Sequence, residues 1–266
     1  MYDRPELIGN SPDMTVDPLS EIVTLLQPSA SYSKLVEYAG RWRIRPQLAG
    51  KPVYFAVLEG ECRVVGAGKS PIIVRSGDFV LAPTSSEQVL ESIEAPGHGI
   101  DMVPRELGGG RFRVGPADAP VNLGMQVGFC SFASPDAALL VSLLPASVVV
   151  RGEPRLVQLL ALVGGETRAA RPGRELVLER LLEVLLIEAL RCGSDSASLP
   201  SVARGLSDDR LVGALRAMHG QPAHGWTVTD LAAEAAMSRS AFFARFNRIV
   251  GLPPMEYLLT WRMALA

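Results

Sequence analysis

Residues 226–266 read WTVTDLAAEAAMSRSAFFARFNRIVGLPPMEYLLTWRMALA. Their punctuation predicts a helix, a tight turn, a second helix closed by Gly251 and the start of a third. Thr227 followed by Asp230 is a capping-box variant: a hydroxyl for early helix amides and a carboxylate at the positive helix end. Leu231, Ala232 and Ala235 give the first helix an apolar face of mostly small residues. Ala232 and Ala236 stand four apart, a spacing that lets crossing helices approach closely. Ser238 suits the N-cap of the second helix. There Phe242, Phe246 and Ile249 recur at steps of four and three and predict a buried face. The opposite face carries Arg239, Ser240, Phe243, Ala244, Asn247 and Arg248. Gly251 then ends the helix, and Pro253-Pro254 opens the next.

Helix, turn and second helix make the layout of a helix-turn-helix, whose second helix enters a DNA major groove. A plain helical hairpin shares the periodicity, and overall charge does not separate the two. Residues 206–266 hold six arginines against five acidic residues, whereas nucleic-acid-binding domains are usually more basic. The distribution is nevertheless uneven, because Arg239, Arg245 and Arg248 all lie on one helix.

Upstream, the pattern changes twice. Asp17-Pro18-Leu19-Ser20-Glu21 opens a short helix to about Leu26, after a polar stretch over 1–16. From Ser33 to Val150, short β-rich runs alternate with Gly and Pro: LVEYAG, RWRIRP, VYFAVLEG, ECRVV, PIIVRSGDFVLAP, QVLES, QVGFCSF and SVVV. Many short strands with turn signals predict a sandwich or barrel. From Glu153 to Cys192 the period becomes helical, with Leu178, Leu181, Leu182, Leu185 and Leu186 on a wide apolar arc and Glu175, Glu179 and Glu183 opposite. Residues 193–205 read as a linker.

Composition narrows the function classes. The 266 residues suggest one or two domains, and 48% hydrophobic content is enough for proper cores. A net charge of -2 argues against general adhesion to nucleic acid or membrane. No run of about 18 apolar residues appears and the N-terminus lacks a signal-peptide core, so the expected location is the cytoplasm. Cys62, Cys130 and Cys192 are widely spaced and odd in number, without a CxxC pair, which fits a reducing compartment. GAGKS at 66–70 lacks the glycine spacing of a phosphate loop and reads as a hairpin turn.

Taken together, W-T-V-T-D-L-A, M-S-R-S-A-F and F-N-R-I-V-G-L-P-P-M-E-Y-L resemble the first half of the DNA-binding domain of AraC/XylS-type transcriptional regulators. PPMEYLLTWRMALA is similar to the start of that family's linker helix. The second unit's I-A-x-x-x-G-Y and F-x-x-x-F-G-x-x-P pattern has no counterpart, so the expectation is a chain cut within that domain. VYFAVLEGECRVV and PIIVRSGDFVLAP, with Gly60 and Gly77-Asp78 at turns, resemble the first half of a cupin barrel. The fold class expected is therefore α+β: a cupin-like β-barrel over 17–150, a helical dimerisation segment over 151–192, and an all-α helix-turn-helix unit over 206–266.

The resemblance implies a regulator that binds duplex DNA as a homodimer, under control of a small-molecule or redox effector, without a membrane. Its DNA-binding residues would be Ser238, Arg239, Ser240, Phe243, Ala244, Arg245 and Arg248. Ser240, Phe243 and Ala244 face base edges in that reading; Arg239 and Arg248 meet phosphates, and Arg245 takes either role. Trp42, Tyr54, Phe55 and Cys62 are the candidate ligand-pocket residues, although aromatic side chains also simply fill small barrels. Cys62 and Cys130 raise redox sensing, but the GFCSF run at 128–132 is displaced by one place from the family's Cys-Gly-x-Phe, which would turn the thiol to the other strand face.

No catalytic residue, metal or cofactor is expected. Cupin metal sites use several imidazoles, and only His98 falls in the barrel region; Tyr54-Phe55-Ala56 and Glu87-Gln88 stand where histidines would. A carboxylate-only set of Glu59, Glu61 and Glu87 is the remaining metal option. The alternatives to a DNA-binding regulator are a DNA-incompetent dimerisation partner of a full-length relative and a metal-dependent cupin enzyme. Activation and repression stay open.

Overall fold

The computed structural model describes residues 17–45, 52–66, 70–83, 88–94, 102–144, 147–169, 171–193 and 202–266. It opens on α1 (Pro18–Leu26), where Asp17 Oδ1 accepts from the Leu19 amide at 3.2 Å and Pro18 occupies the first turn. The strands follow: β1 (Pro28–Ala39), β2 (Arg43–Ile44), β3 (Val53–Gly66), β4 (Ile72–Arg75), β5 (Phe79–Ala82), β6 (Gln88–Glu91), β7 (Arg105–Gly108), β8 (Arg111–Val114) and β9 (Val121–Phe132). A short helix, α2 (Ala137–Ser142), precedes β10 (Val148–Val150).

The main path through the sheet is β10-β5-β3-β9-β1-β8-β7. β3 gives it its curl. Its first half pairs with β5 and β9, and its second half with β4 and β6. Between the halves the register slips from Val57 to Glu59, and such a bulge bends and twists a strand. Gly60 follows at φ +78, where a Cβ would stand 2.0 Å from the Asn122 carbonyl oxygen, so the bend requires glycine. VYFAVLEG and ECRVV, read as separate runs, are thus one bent strand.

Successive strand residues point to opposite faces. Val53, Phe55 and Val57 join Val36, Tyr38, Leu123, Met125 and Val127 in the inner core. Tyr54 and Ala56 join Cys130 in the outer core, against helices. Two of these are α3 (Pro154–Arg168) and α4 (Arg174–Gly193). The buried Gln126 on β9 fixes α3 to the sheet, donating to the Leu160 carbonyl at 2.6 Å. Burial on both faces explains why 53–57 is continuously apolar rather than alternating.

The outer core continues without a break into the C-terminal helices. These are α5 (Val202–Leu206), α6 (Leu211–Gly220), α7 (Val228–Glu234), α8 (Arg239–Val250) and α9 (Pro254–Leu265). α1, touching α2, α4, α5 and α6, and a direct packing of α2 on α9 join the two parts. The structure corrects the linker reading at its end: 202–205 belong to α5, and Val202 is fully buried. β7 and β8 escape a hydrophobic-pattern search because β7 is exposed throughout and both are rich in charge. Residues 1–16, 67–69 of the GAGKS hairpin, Glu87, His98 and 194–201 lie outside the described residues.

Candidate nucleic-acid interface and ligand cavity

The capping box at α7 forms as its sequence requires: Thr227 Oγ1 accepts from the Asp230 amide at 3.2 Å, and Asp230 Oδ2 from the Thr227 amide at 2.9 Å. α7 ends at Glu234, and the turn to α8 passes through Ala236 at φ +50. Ala236 is therefore an exposed turn residue, and of the pair read as a helix-crossing contact only Ala232 is buried. Ser238 N-caps α8, its hydroxyl accepting from the Ala241 amide at 3.4 Å, and Gly251 closes the helix at φ +93.

α8 has two distinct faces. Phe242, Phe246, Ile249 and Val250 are buried. The Phe246 ring lies 5.5 Å from Phe242 and 5.8 Å from Tyr257, centroid to centroid. Ser238, Arg239, Ser240, Phe243, Ala244, Asn247 and Arg248 are exposed, Phe243 by 44%. Arg245 stands apart from this group. Its Nε lies 3.1 Å from both Asp208 oxygens, and its Nη2 lies 2.6 Å from Oδ2. Asp208 also accepts from the Arg210 and Leu211 amides at the start of α6. Burial works to raise the Asp208 pKa, but Arg245 and these amides outweigh it and hold the carboxyl below its ordinary value. Arg245 thus braces α8 against α6, while Asn247 shares the exposed face.

Within the curled sheet lies a cavity of about 510 Å³. Its floor follows the pleat: Lys34, Val36 and Tyr38 from β1, Val53 and Phe55 from β3, and Met125, Val127 and Phe129 from β9. Of the four residues expected at a pocket, Phe55 alone lines it. Tyr54 is its strand neighbour and must face the helices; a Cβ at Gly128 would stand 2.2 Å from the Tyr54 ring. Trp42 is buried behind the lining, its centroid 4.3 Å from Tyr38 and its Nε1 donating to Asn122 Oδ1 at 3.2 Å. Cys62 lies in β3 beyond the bulge, opposite Val74. Lys34 was not anticipated, although its alternation with Val36 and Tyr38 places all three on one face.

The cysteine environments favour inert thiols. Burial, with the nearby charge of Glu61, pushes Cys62 up to about 12; burial pushes Cys130 up to about 12 against a backbone hydrogen bond acting the other way. Thiol reactivity requires thiolate, which such surroundings suppress near neutral pH. Cys130 faces the outer core, away from the cavity. Glu61 pairs with Arg75 at 3.0 Å, while Glu59 is exposed.

One buried polar cluster joins the sheet-bearing part to the C-terminal helices. His219 on α6 places Nδ1 2.7 Å from Glu21 Oε2 on α1 and Nε2 2.7 Å from the Tyr257 hydroxyl on α9. Trp261 stacks on the imidazole at 4.0 Å. Burial pushes His219 down to about 3, with the charge of Asp17 acting in the opposite sense. Burial and the charge of Asp17 together raise Glu21, and burial together with Glu21 raises Tyr257. An ionised Glu21 only accepts, so Nδ1 carries the imidazole proton and Nε2 accepts from Tyr257.

A family model described as Cupin matches residues 17–194, running through α3 and α4. A protein of Streptomyces antibioticus described as an AraC-like transcription regulator is 33% identical over 258 residues, covering 94% of this chain and 84% of that protein. One from Streptomyces lividans with the same description is 32% identical over 260 residues, with the same two coverages. Among solved structures, ToxT from Vibrio cholerae O395 aligns over 90% of this chain and 79% of its own at 10% identity. Its TM-score is 0.36.

Proposed function

Because the chain belongs to the AraC-type transcription regulators with an N-terminal cupin domain, we propose that it reads duplex DNA with the exposed face of α8 under control of a small molecule in the sheet cavity. The observation that carries the DNA reading is the division of α8. Its apolar face is consumed by the core, while Arg239 and Arg248 flank Ser240, Phe243, Ala244 and Asn247 on the exposed side.

In this reading Phe243 and Ala244 make apolar contacts such as those with thymine methyls, and Ser240 and Asn247 supply hydrogen-bonding groups to base edges. Arg239 and Arg248 bind phosphates, with the Ser238 hydroxyl beside them. Arg245 belongs to the support of the helix. Residues 17–150 form the sensor, 151–192 the dimerising segment and 206–266 the DNA reader. Support for a homodimer comes from the outward apolar side chains of α3 and α4: Leu162, Leu176, Val177 and Val184 are 57, 58, 44 and 39% exposed. Among the described residues no helix is long and apolar enough to cross a membrane.

Selection from a random duplex library, followed by fluorescence anisotropy over a salt series, tests the interface. Arg239→Ala is expected to weaken binding evenly across sequences and to reduce the salt slope by about 1. Phe243→Ala is expected to change base preference instead. If neither variant alters binding to DNA selected by the parent chain, α8 is not the reading helix.

A further inference from the structure

The proposed effector site carries chemical information beyond its location. Among the described residues its lining contains two cations, Lys34 and Arg45, and no carboxylate. Gln88 adds a neutral amide, and apolar residues dominate the rest of the lining.

Lys34 is held there by rings. Its Nζ stands 4.9 Å from the Phe112 centroid and 5.3 Å from that of Phe129. The carboxylates Glu37 and Glu91 pair with other cations, Glu37 with Arg111 and Arg113 and Glu91 with Arg43 and Arg63. Among the described residues no carboxylate forms an ion pair with Lys34. Desolvation lowers its pKa, so its surroundings compensate the charge incompletely. Ring faces attract a cation only modestly, and hydrogen bonds to an ionised partner are the stronger class.

The apolar wall runs one way from this charge. Along β1, Lys34, Val36 and Tyr38 stand at alternate positions, with Val127 opposite Lys34 and Met125 opposite Val36. Four residues of strand span about 13 Å. The cavity therefore has a charged place at one point and an extended apolar floor leading away from it. Its volume falls within the range of small-molecule sites, about 300–1,000 Å³.

We infer that the effector is an apolar molecule bearing a single acidic group, the acid pairing with Lys34 and the body lying along Val36, Tyr38, Phe55 and Met125. A neutral apolar molecule leaves the ammonium desolvated without a counter-charge. A cationic one sets its charge against the Lys34 ammonium. This deepens the effector reading above and rests on it.

The test compares decanoate, decanol and decylamine, three probes of one length differing in the end group, by isothermal titration calorimetry on the full chain. Decanoate is expected to bind at least tenfold tighter than decanol, although decanol is the more apolar, and decylamine weakest. Lys34→Gln should remove about tenfold from decanoate affinity and leave decanol unchanged; Lys34→Arg should restore decanoate binding. Retained decanol binding also shows that the Gln variant is folded. Equal affinity for decanoate and decanol, or a Lys34→Gln variant that keeps full decanoate affinity, overturns the acidic class while leaving the cavity as an effector site. Failure of all three probes to bind overturns both readings.

Discussion

Replacing Tyr257 by Phe removes a single oxygen from the junction of α1, α6 and α9. That hydroxyl donates to His219 Nε2, while Nδ1–H is engaged with Glu21. Without it, Nε2 becomes an acceptor lacking a donor, on an imidazole whose side chain has no exposed surface. An unsatisfied buried polar group costs about 1–3 kcal/mol. For a protein of this size each kcal/mol shifts Tm by roughly 2–4 °C, so the variant should melt about 2–12 °C lower at neutral pH. The ring contacts with Phe246 are untouched, so packing loss does not account for such a change. Thermal unfolding followed by circular dichroism reads it directly. An unchanged or higher Tm would refute the relay as a stabilising contact. A double-mutant cycle with Glu21→Gln refines the answer, because members of one hydrogen-bonded network couple by about 0.5–3 kcal/mol.

The same cluster sets a pH dependence whose sign follows from burial. His219 is pushed from its ordinary value near 6.5 to about 3, so between these values the unfolded chain holds a proton there that the folded chain does not. Its stabilising contribution is whole above about pH 6.5 and declines as pH falls toward 3, by at most roughly 1.4 kcal/mol per pH unit. Glu21 works in the other direction: its raised pKa favours the protonated folded form, a contribution present at low pH and lost as pH rises. Its half-exposed position makes it the weaker of the two. His219→Gln should therefore flatten the fall in Tm between pH 6.5 and 5. A variant with the parent's slope would assign that fall to other groups.

Three further substitutions test the placement of individual residues. Gly128→Ala puts a methyl 2.2 Å from the Tyr54 ring and should destabilise by about 1–3 kcal/mol through overpacking, seen in chemical denaturation; adding Tyr54→Leu should recover part of the loss. Arg245→Ala should lower stability by breaking its pairing with Asp208 while leaving the DNA salt slope at the parent value, and a slope reduced as for Arg239→Ala would place Arg245 on phosphate instead. Ala236→Gly relieves a left-handed alanine at φ +50, a conformation costing about 1–2 kcal/mol, and should raise or at least hold Tm despite the added freedom of the unfolded chain; a clear drop would show that the alanine is not strained.

The helix-turn-helix was legible because its determinants are local. Thr227 with Asp230, Ser238, the phenylalanine spacing and Gly251 each act within a turn of their own position, and each has its expected place. Arg245 was ambiguous for the complementary reason. Periodicity puts it at the border of the exposed face, and its partner Asp208 lies 37 residues away. The cavity was legible in kind but not in composition. Tyr54 and Phe55 looked equivalent as neighbouring aromatics, yet the pleat sends one to the helices and the other inward. Which of them faces the cavity depends on what covers the outer face, and the sequence pattern of 53–57, apolar on both sides, does not distinguish the two.

The cluster around His219 was beyond reach for a further reason: its members come from three segments, with separations of 198 and 38 residues. A lone histidine in a helical stretch carries no signal of that kind. Its placement bears on how the sheet-bearing part meets the C-terminal helices, because α1 packs on the former through α2 and α4 and on the latter through α5 and α6. The sheet's inner face holds the cavity, and its outer face opens into the core that continues through α1 to Tyr257 and Trp261. A displacement of β1, β3 or β9 on the inner side must move Tyr54, Ala56 or Gln126 on the other, since a strand carries both faces on one backbone. Interiors transmit strain rather than absorb it, so in the proposed reading an occupied cavity would act on α8 through the helices packed over the sheet.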